Sequence, residues 1–240
     1  MRRPCLIRQP AGLGDIILCQ KIADVLISNG CEVHWPVIDQ YLDSFRNYMQ
    51  KDYLIFHGEG DSFPLKEYYY SQIATPTSHK DGSLYLPLQY ADRSFPGESV
   101  LRAKYKILKS DPSGWVNYFH ISRNREKENE LFYNVLGLKD DMDYSFLNLW
   151  YGSPPHSVKK GVTVSSKLPV VEMSRRAGFS IFDWCKVIES AAEIHCVDTG
   201  LFYIIEKLDL KSKRLEAYSK FDPSNYMHIE GLFKKPWRYN

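Results

Sequence analysis

The feature that most constrains the fold is a short apolar segment followed by a glycine-containing turn and an amphipathic helix. Residues 4–9 (PCLIRQ) are typical of a buried strand and lead into the turn Gly12-Leu13-Gly14-Asp15. From 15 to 29, apolar residues recur at helical spacing, and Asn29-Gly30 is a typical helix stop. The order strand, turn, helix predicts the beginning of an α/β unit with a parallel sheet.

The same alternation continues along the chain and predicts two Rossmann-like halves, 1–140 and 141–240. For the first half, the pattern predicts strands at 31–37, 53–58 and 83–88, a helix at 38–49, and helical structure from 97 to 137 with an interruption at 111–114. For the second half, it predicts strands at 144–150, 161–173, 193–198 and 214–220 and helices at 180–192 and 199–208. We expect the tail from 221 to 240 to pack back across the first half.

Composition and charge exclude several classes of protein. The formal net charge of +2 lacks the strong basic excess of a dedicated nucleic-acid binder. The start of the sequence does not have the pattern of a signal peptide, and no stretch approaches the roughly 20 apolar residues of a membrane span. The five cysteines form no CxxC pair, which favours buried free thiols in a reducing compartment. We therefore expect a cytoplasmic protein without a transmembrane segment.

The turn from Gly12 to Asp15 combines glycines with a helix start, as known phosphate-binding loops do. Glycine lets a ligand approach the main chain, and free backbone N–H groups at a helix start favour anionic groups. A Walker A loop needs a lysine that is missing here, and a dinucleotide fingerprint needs a third glycine where Ile17 stands. Asp15 has two readings, a helix N-cap or a catalytic carboxylate, and the sequence leaves both open.

The segment QPAGLGDIIL, followed by GCEVHWPV, resembles the amino-terminal pattern of bacterial heptosyltransferases. That resemblance implies a GT-B fold with a cleft between its halves, and sugar transfer with inversion and without a metal. It also implies that Asp15 is the general base, with Gly12 and Gly14 shaping the loop. The chain is shorter than members of that family. The basic residues with which the family grips a phosphorylated acceptor cannot be placed, so heptose itself is not implied.

A second turn, Asp198-Thr199-Gly200, comes between an apolar strand and an apolar helix. It resembles the late Asp-Thr/Ser-Gly step that contacts the donor diphosphate in the same family, while the alternative is a simple N-cap by Asp198 or Thr199. Ligands of open α/β sheets bind outside the carboxyl ends of strands. Further donor-binding candidates chosen on that ground, or as partners for ribose and diphosphate, are Asn148, Gly152, Ser153, Glu172 and Arg175 with its neighbour Arg176. For the arginines, a solvated loop is the alternative.

A competing metal signature is Asp141-Met142-Asp143, a DxD sequence. In metal-dependent glycosyltransferases the DxD normally ends an apolar strand, whereas here it precedes one. A solvated acidic linker is the better interpretation, and the scattered histidines give no zinc spacing. No metal ligand is therefore assigned.

Together these patterns predict a glycosyltransferase that moves a sugar from a nucleotide-sugar donor to a hydroxyl of a glycan or glycolipid acceptor. It would need no cofactor beyond the donor, and it would bind no nucleic acid. The main alternative is a non-catalytic nucleotide- or sugar-binding protein of the same fold. A dinucleotide-dependent oxidoreductase is disfavoured by the missing third glycine.

Overall fold

The chain forms two compact units that divide between Ser122 and Arg123. A computed structural model describes residues 2–152, 156–220 and 231–240. The sequence pattern places the boundary later, after residue 140, but Arg123 forms ion pairs with Glu128 and Glu189 of the second unit. These contacts join the segment after Arg123 to the second unit.

The first unit contains a five-stranded sheet in the order β3-β2-β1-β5-β4. Its strands are β1 (Arg3–Ile7), β2 (Cys31–Pro36), β3 (Leu54–His57), β4 (Thr77–Ser78) and β5 (Leu84–Leu86). All neighbouring pairs are parallel except β4 with β5. The parallel strands that the alternating pattern predicts are thus present, and β1 lies in the middle of the sheet.

Six α-helices of the first unit connect these strands or follow them. They are α1 (Leu13–Leu18), α2 (Gln20–Ser28), α3 (Asp39–Tyr48), α4 (Lys66–Tyr70), α5 (Ala91–Ser94) and α6 (Val100–Lys106), with 3-10 turns at Leu88–Tyr90 and Trp115–Asn117. The helix predicted over 15–29 is two helices, because the backbone departs from helical geometry at Cys19.

The second unit repeats the architecture with the sheet order β12-β11-β10-β6-β9, all parallel. Its strands are β6 (Ser145–Asn148), β9 (Val170–Glu172), β10 (Glu193–Val197), β11 (Arg214–Tyr218) and β12 (Trp237–Tyr239), and β7 (Trp150–Tyr151) pairs with β8 (Val158–Lys159) in a separate hairpin. Its helical segments are α7 (Arg125–Asn129) running into a π-helical turn (Glu130–Val135), a 3-10 turn (Ile181–Trp184) running into α8 (Cys185–Ser190), and α9 (Gly200–Lys207).

One expectation for the second unit is wrong. Residues 161–168 form no strand, although their valines alternate: Val162 and Val164 pack against a buried cluster that includes Leu147 and Tyr218. The alternation therefore reflects packing and not strand pairing. In the described part of the tail, Trp237–Tyr239 pairs with β11 and extends the second unit's sheet, and the packing expected across the first half stays a prediction.

All five cysteines of the chain are buried free thiols, as the sequence predicts. Cys5, Cys19 and Cys31 lie in the first unit, and Cys185 and Cys196 lie in the second. Among the helices that the structure describes, none is both long and apolar enough to cross a membrane.

Candidate active site

The turn after β1 is built around the backbone of Gly12. Its φ of +82° lies in the left-handed region that glycine adopts without strain. Gly12 occupies the N-cap position of α1, and its carbonyl accepts the Ile16 N–H at 3.0 Å. A Cβ at this position would overlap the Asp15 carboxylate. Glycine is thus needed here both for the turn and for the space that the carboxylate occupies.

Asp15 is not the N-cap of the helix, so that reading of the sequence is wrong. The helix begins at Leu13, which places Asp15 in the first turn, and no side chain caps this helix end. The Asp15 carboxylate instead lies 3.1 Å from the Nζ atom of Lys104. Near a helix start, a carboxylate is also favoured by the helix dipole. Asp15 is therefore held in place by an ion pair and does not serve as a cap.

Lys104 is the residue that sequence reasoning missed, and it defines the chemistry of this turn. Its side chain is 2% exposed, while that of Asp15 is 30% exposed. The Lys104 Nζ also donates to the Gln9 side-chain oxygen, and Gln9 Nε2 donates to the Ala11 carbonyl at 2.6 Å. A buried ammonium needs such partners, because an unpaired buried charge is very costly. The Asp15 carboxylate thus contacts the buried Lys104 ammonium on one side and is open to solvent on the other.

In the second unit, Asp198 and Thr199 follow the carboxyl end of β10. The Asp198 side chain is buried, and its Oδ1 accepts the Lys220 N–H at 2.7 Å. Its own N–H donates to the Tyr218 carbonyl at 3.0 Å. Asp198 therefore joins β10 to the end of β11, and it is not the helix N-cap.

Thr199 occupies the N-cap position of α9, but its side chain makes no capping hydrogen bond. Its Oγ1 instead accepts from Asn148 Nδ2 at 3.4 Å. Asn148 is buried at the end of β6, the strand next to β10, and its amide also lies 3.7 Å from Cys196 Sγ. The structure thus brings together two of the predicted donor-binding residues, Asn148 and Thr199, beside Gly200, which opens the helix.

Glu172 ends β9, next to β6, but its carboxylate already has partners. It lies 2.7 Å from Lys159 Nζ and accepts from Trp150 Nε1 at 3.1 Å. These contacts tie the β7–β8 hairpin to the edge of the main sheet. Glu172 is 36% exposed in its side chain, so one side remains open to solvent.

The other residues predicted to bind the donor lie in loops. Gly152 has a φ of +94°, and a Cβ there would lie 2.6 Å from the His156 carbonyl oxygen. Arg175 and Arg176 are exposed in the loop after β9. Ser153 lies outside the described residues. The structure therefore shows a structural need for glycine at 152, and the roles of the others in binding stay predictions.

The acidic segment that contains the DxD sequence forms surface ion pairs. Asp143 lies 3.0 Å from Lys211 Nζ, and Asp140 accepts from the Tyr133 hydroxyl. Within residues 2–152, 156–220 and 231–240, no group of three or more His, Cys, Asp and Glu side chains is arranged to hold a metal ion.

Comparisons with known proteins identify the fold. No family model matches the sequence, and no curated protein matches it either. Among solved structures, the chain is similar to a glycosyl transferase of family 9 from Veillonella parvula DSM 2008, with a TM-score of 0.57 and 12% identity over 99% of this chain and 86% of that chain. It also overlaps E. coli heptosyltransferase WaaC with ADP-2-deoxy-2-fluoro heptose, with a TM-score of 0.46 and 9% identity over 99% of this chain and 92% of that chain, and this weaker likeness carries no argument.

The class that these observations define is an α/β protein with the GT-B type of fold, so the predicted fold class is confirmed. The solved structure on which this comparison rests is a glycosyl transferase of family 9. At this level of identity the likeness shows the fold alone. The roles of the Gly12–Asp15 turn and the Asp198–Gly200 turn stay predictions, as does the cleft between the two halves.

Proposed function

We propose that this protein is a glycosyltransferase that moves a sugar from a nucleotide-sugar donor to a hydroxyl of a glycan or glycolipid acceptor. The observation that carries the proposal is the Asp15 carboxylate, which is partly exposed and fixed by the buried Lys104. It stands at the carboxyl end of a central parallel strand, where ligands of α/β sheets bind. The fold that the chain shares with a family 9 glycosyltransferase supports the same reaction class.

In this proposal Asp15 is the general base. A carboxylate that faces solvent on one side can accept the proton of an acceptor hydroxyl as the oxygen attacks the anomeric carbon. The ion pair with Lys104 keeps the carboxylate in one place and leaves its outer side open. Gln9 accepts a hydrogen bond from the same lysine, so in this proposal Lys104 and Gln9 are positioning residues and Asp15 is the catalytic residue.

The donor diphosphate would bind at the start of α9. The backbone N–H groups of a helix start and its dipole favour negative charge, and the Asn148 amide and the Thr199 hydroxyl lie beside this helix end. These groups would stabilise the leaving nucleoside diphosphate without a metal ion, with Arg175 as an additional cation. Glu172 would accept from ribose hydroxyls with the side that its partners leave open. Inversion at the anomeric carbon is part of the same proposal.

The first experiment measures the unfolding temperature with ADP, GDP, UDP, CDP and dTDP, each with and without Mg²⁺. A ligand that binds only the folded protein raises the unfolding temperature by mass action. We expect one diphosphate to stabilise the protein without metal. Stabilisation that requires Mg²⁺ would contradict the metal-independent mechanism. No shift with any diphosphate, together with stabilisation by NAD or NADP, would favour an oxidoreductase.

The second experiment measures release of nucleoside diphosphate from the matching nucleotide sugars by wild type and by Asp15→Asn. The asparagine oxygen can still accept from Lys104, so folding is retained while the base is lost. We expect turnover to fall by about 100-fold or more. Asp43→Asn, at an exposed position of the same unit, is the matched control and should leave turnover unchanged. Binding of a diphosphate without any turnover in wild type would favour the non-catalytic alternative.

A further inference from the structure

Between β6 and β9, the part of the chain that the structure describes contains no helix. A crossover between parallel strands usually supplies a helix that covers a face of the sheet. Here the described residues between Asn148 and Val170 form the β7–β8 hairpin and an extended segment. The Ser165 carbonyl of that segment accepts from Arg214 at 3.2 Å, so the segment runs along the face of β11. Part of this face remains open.

The open part is a groove of about 470 Å³. Its floor consists of alternate residues of β11, Arg214, Glu216 and Tyr218, which share one face of the sheet. One wall is the segment 160–165, and the other is formed by Arg238 and Asn240 at β12. This volume lies within the range of sites for small molecules, roughly 300 to 1,000 Å³.

The floor of the groove is polar, although strands in a parallel sheet are normally apolar on both faces. Arg214 lies 2.9 Å from Glu216 and 3.2 Å from Glu193, and Asn240 Nδ2 donates to the second oxygen of Glu216 at 2.7 Å. On the neighbouring strand β10, His195 Nδ1 lies 3.0 Å from the Tyr218 hydroxyl. An apolar floor would pack without such a network. A buried polar network stabilises and fixes a structure only when all its groups have hydrogen-bond partners. The network holds the floor in a single arrangement.

Burial alone would raise the pKa of Glu216, but the hydrogen bonds from Asn240 and Arg214 outweigh burial and hold that pKa below its ordinary value. The Glu216 carboxylate is thus charged and occupied on both oxygens. Besides Arg214, the cationic side chains that line the groove are Lys160 and Arg238.

The walls favour an anion that also carries hydroxyl groups. Lys160 and Arg238 both line the groove, and the Arg238 side chain is 76% exposed, with its Nε 3.9 Å from Glu216. Between them the groove presents hydroxyls of Thr163, Ser165 and Ser219. Lysine and arginine together bind phosphate oxygens through charge-assisted hydrogen bonds, while hydroxyls suit the polar edge of a sugar.

We propose that this groove is a second ligand site that binds a small phosphorylated sugar, with the phosphate held between Lys160 and Arg238. The site is independent of the donor site proposed at the start of α9, and it does not require the protein to be an enzyme.

The test is calorimetric titration with glucose 1-phosphate, inorganic phosphate and glucose. We expect glucose 1-phosphate to bind more tightly than either of the other probes. In the double variant Lys160→Gln/Arg238→Gln, its Kd should rise about tenfold or more, because both charge-assisted hydrogen bonds to the phosphate are lost. The control Lys167→Gln/Lys213→Gln removes the same charge from exposed positions of the same unit and should keep the Kd of wild type.

Three results would overturn the proposal: no binding of glucose 1-phosphate by wild type at millimolar concentrations, equal affinity for inorganic phosphate, or an unchanged Kd in the double variant. The diphosphate thermal shift is measured separately on the same variants. If that shift survives while glucose 1-phosphate binding is lost, the groove is separate from the donor site. If both are lost together, the groove belongs to the donor site and the proposal of a second site is wrong.

Discussion

The turn after β1 and the turn after β10 hold equivalent positions. Each follows the central strand of a five-stranded sheet and leads into a helix. In the first, glycine precedes the acid by three residues, so Asp15 lies on the helix and faces solvent. In the second, the acid precedes the glycine, so Asp198 is buried and binds the backbone of the neighbouring segment. The first turn thus presents a carboxylate, and the second presents a helix start.

The largest stability effect that tests this comparison is expected for Asp15→Ala. It leaves the Lys104 ammonium, 2% exposed, with Gln9 as its remaining side-chain partner. Removal of one partner of a buried ion pair should lower the free energy of unfolding by about 3 kcal/mol, measured by urea denaturation. Lys104→Met should cost less, because Asp15 is partly exposed and can hydrate. Equal losses in the two variants would show that the lysine is not the buried member of the pair.

Acidification should lower the free energy of unfolding through the buried histidines of the two units to different extents. Burial and the neighbouring His34 lower the pKa of His57 to about 4, and the two imidazoles lie 3.0 Å apart. The unfolded chain binds this proton near pH 6.5, so the contribution to stability is complete above pH 6.5 and is lost as pH falls towards 4. Burial lowers the pKa of His195 as well, but the nearby Glu193 carboxylate opposes that shift, and the neighbouring Tyr218 hydroxyl does not titrate in this range.

Urea denaturation at pH 7 and pH 4.5 measures this difference. Wild type should lose about 2 kcal/mol more than His57→Gln between the two pH values. His195→Gln serves as the comparison in the second unit and should change the pH dependence less. A pH dependence that is the same in wild type and His57→Gln would contradict the prediction.

Gly12→Ala and Gly200→Ala test whether the two turns place the same demand on the backbone. The alanine at 12 must adopt a φ of +82° and its Cβ overlaps Asp15, so we expect a loss of about 2 kcal/mol in unfolding free energy. Gly200 lies in the first turn of α9 without a positive φ, so alanine there should be neutral or stabilising by up to about 1 kcal/mol. A destabilised Gly200→Ala would show that the second turn has the same backbone demand as the first.

The smallest effect is expected for Thr199→Val, which removes the hydroxyl that accepts from Asn148. At 3.4 Å this hydrogen bond is long, so we expect a loss of about 0.5 to 1 kcal/mol in unfolding free energy. If the diphosphate binds at this helix start, its thermal shift should shrink far more than the stability changes. Thr75→Val, at an exposed threonine of the first unit, is the matched control for that shift.

The local elements were predictable from the sequence because their periodicity reflects burial on a sheet or a helix face. Strands such as β1 and β10 and the glycine turn after β1 are where the pattern places them. The site was only half predictable. Asp15 could be found beside its glycines, but Lys104 forms hydrogen bonds with Gln9, 95 residues away in sequence, and no local pattern indicates that contact. Similarly, the valines at 162 and 164 alternate as strand residues do, yet they pack on side chains and pair with no strand.

The buried thiols give each unit its own reporter of opening. All five sulfurs are inaccessible in the folded protein, and burial raises the pKa of Cys19 and Cys196 to about 12, so neither reacts with an alkylating reagent in the native state. Alkylation then requires local or global unfolding, and its rate at each cysteine reports the opening of the segment that covers it. Mass spectrometry of labelled peptides from both units would therefore time their unfolding separately within one molecule, without an introduced probe.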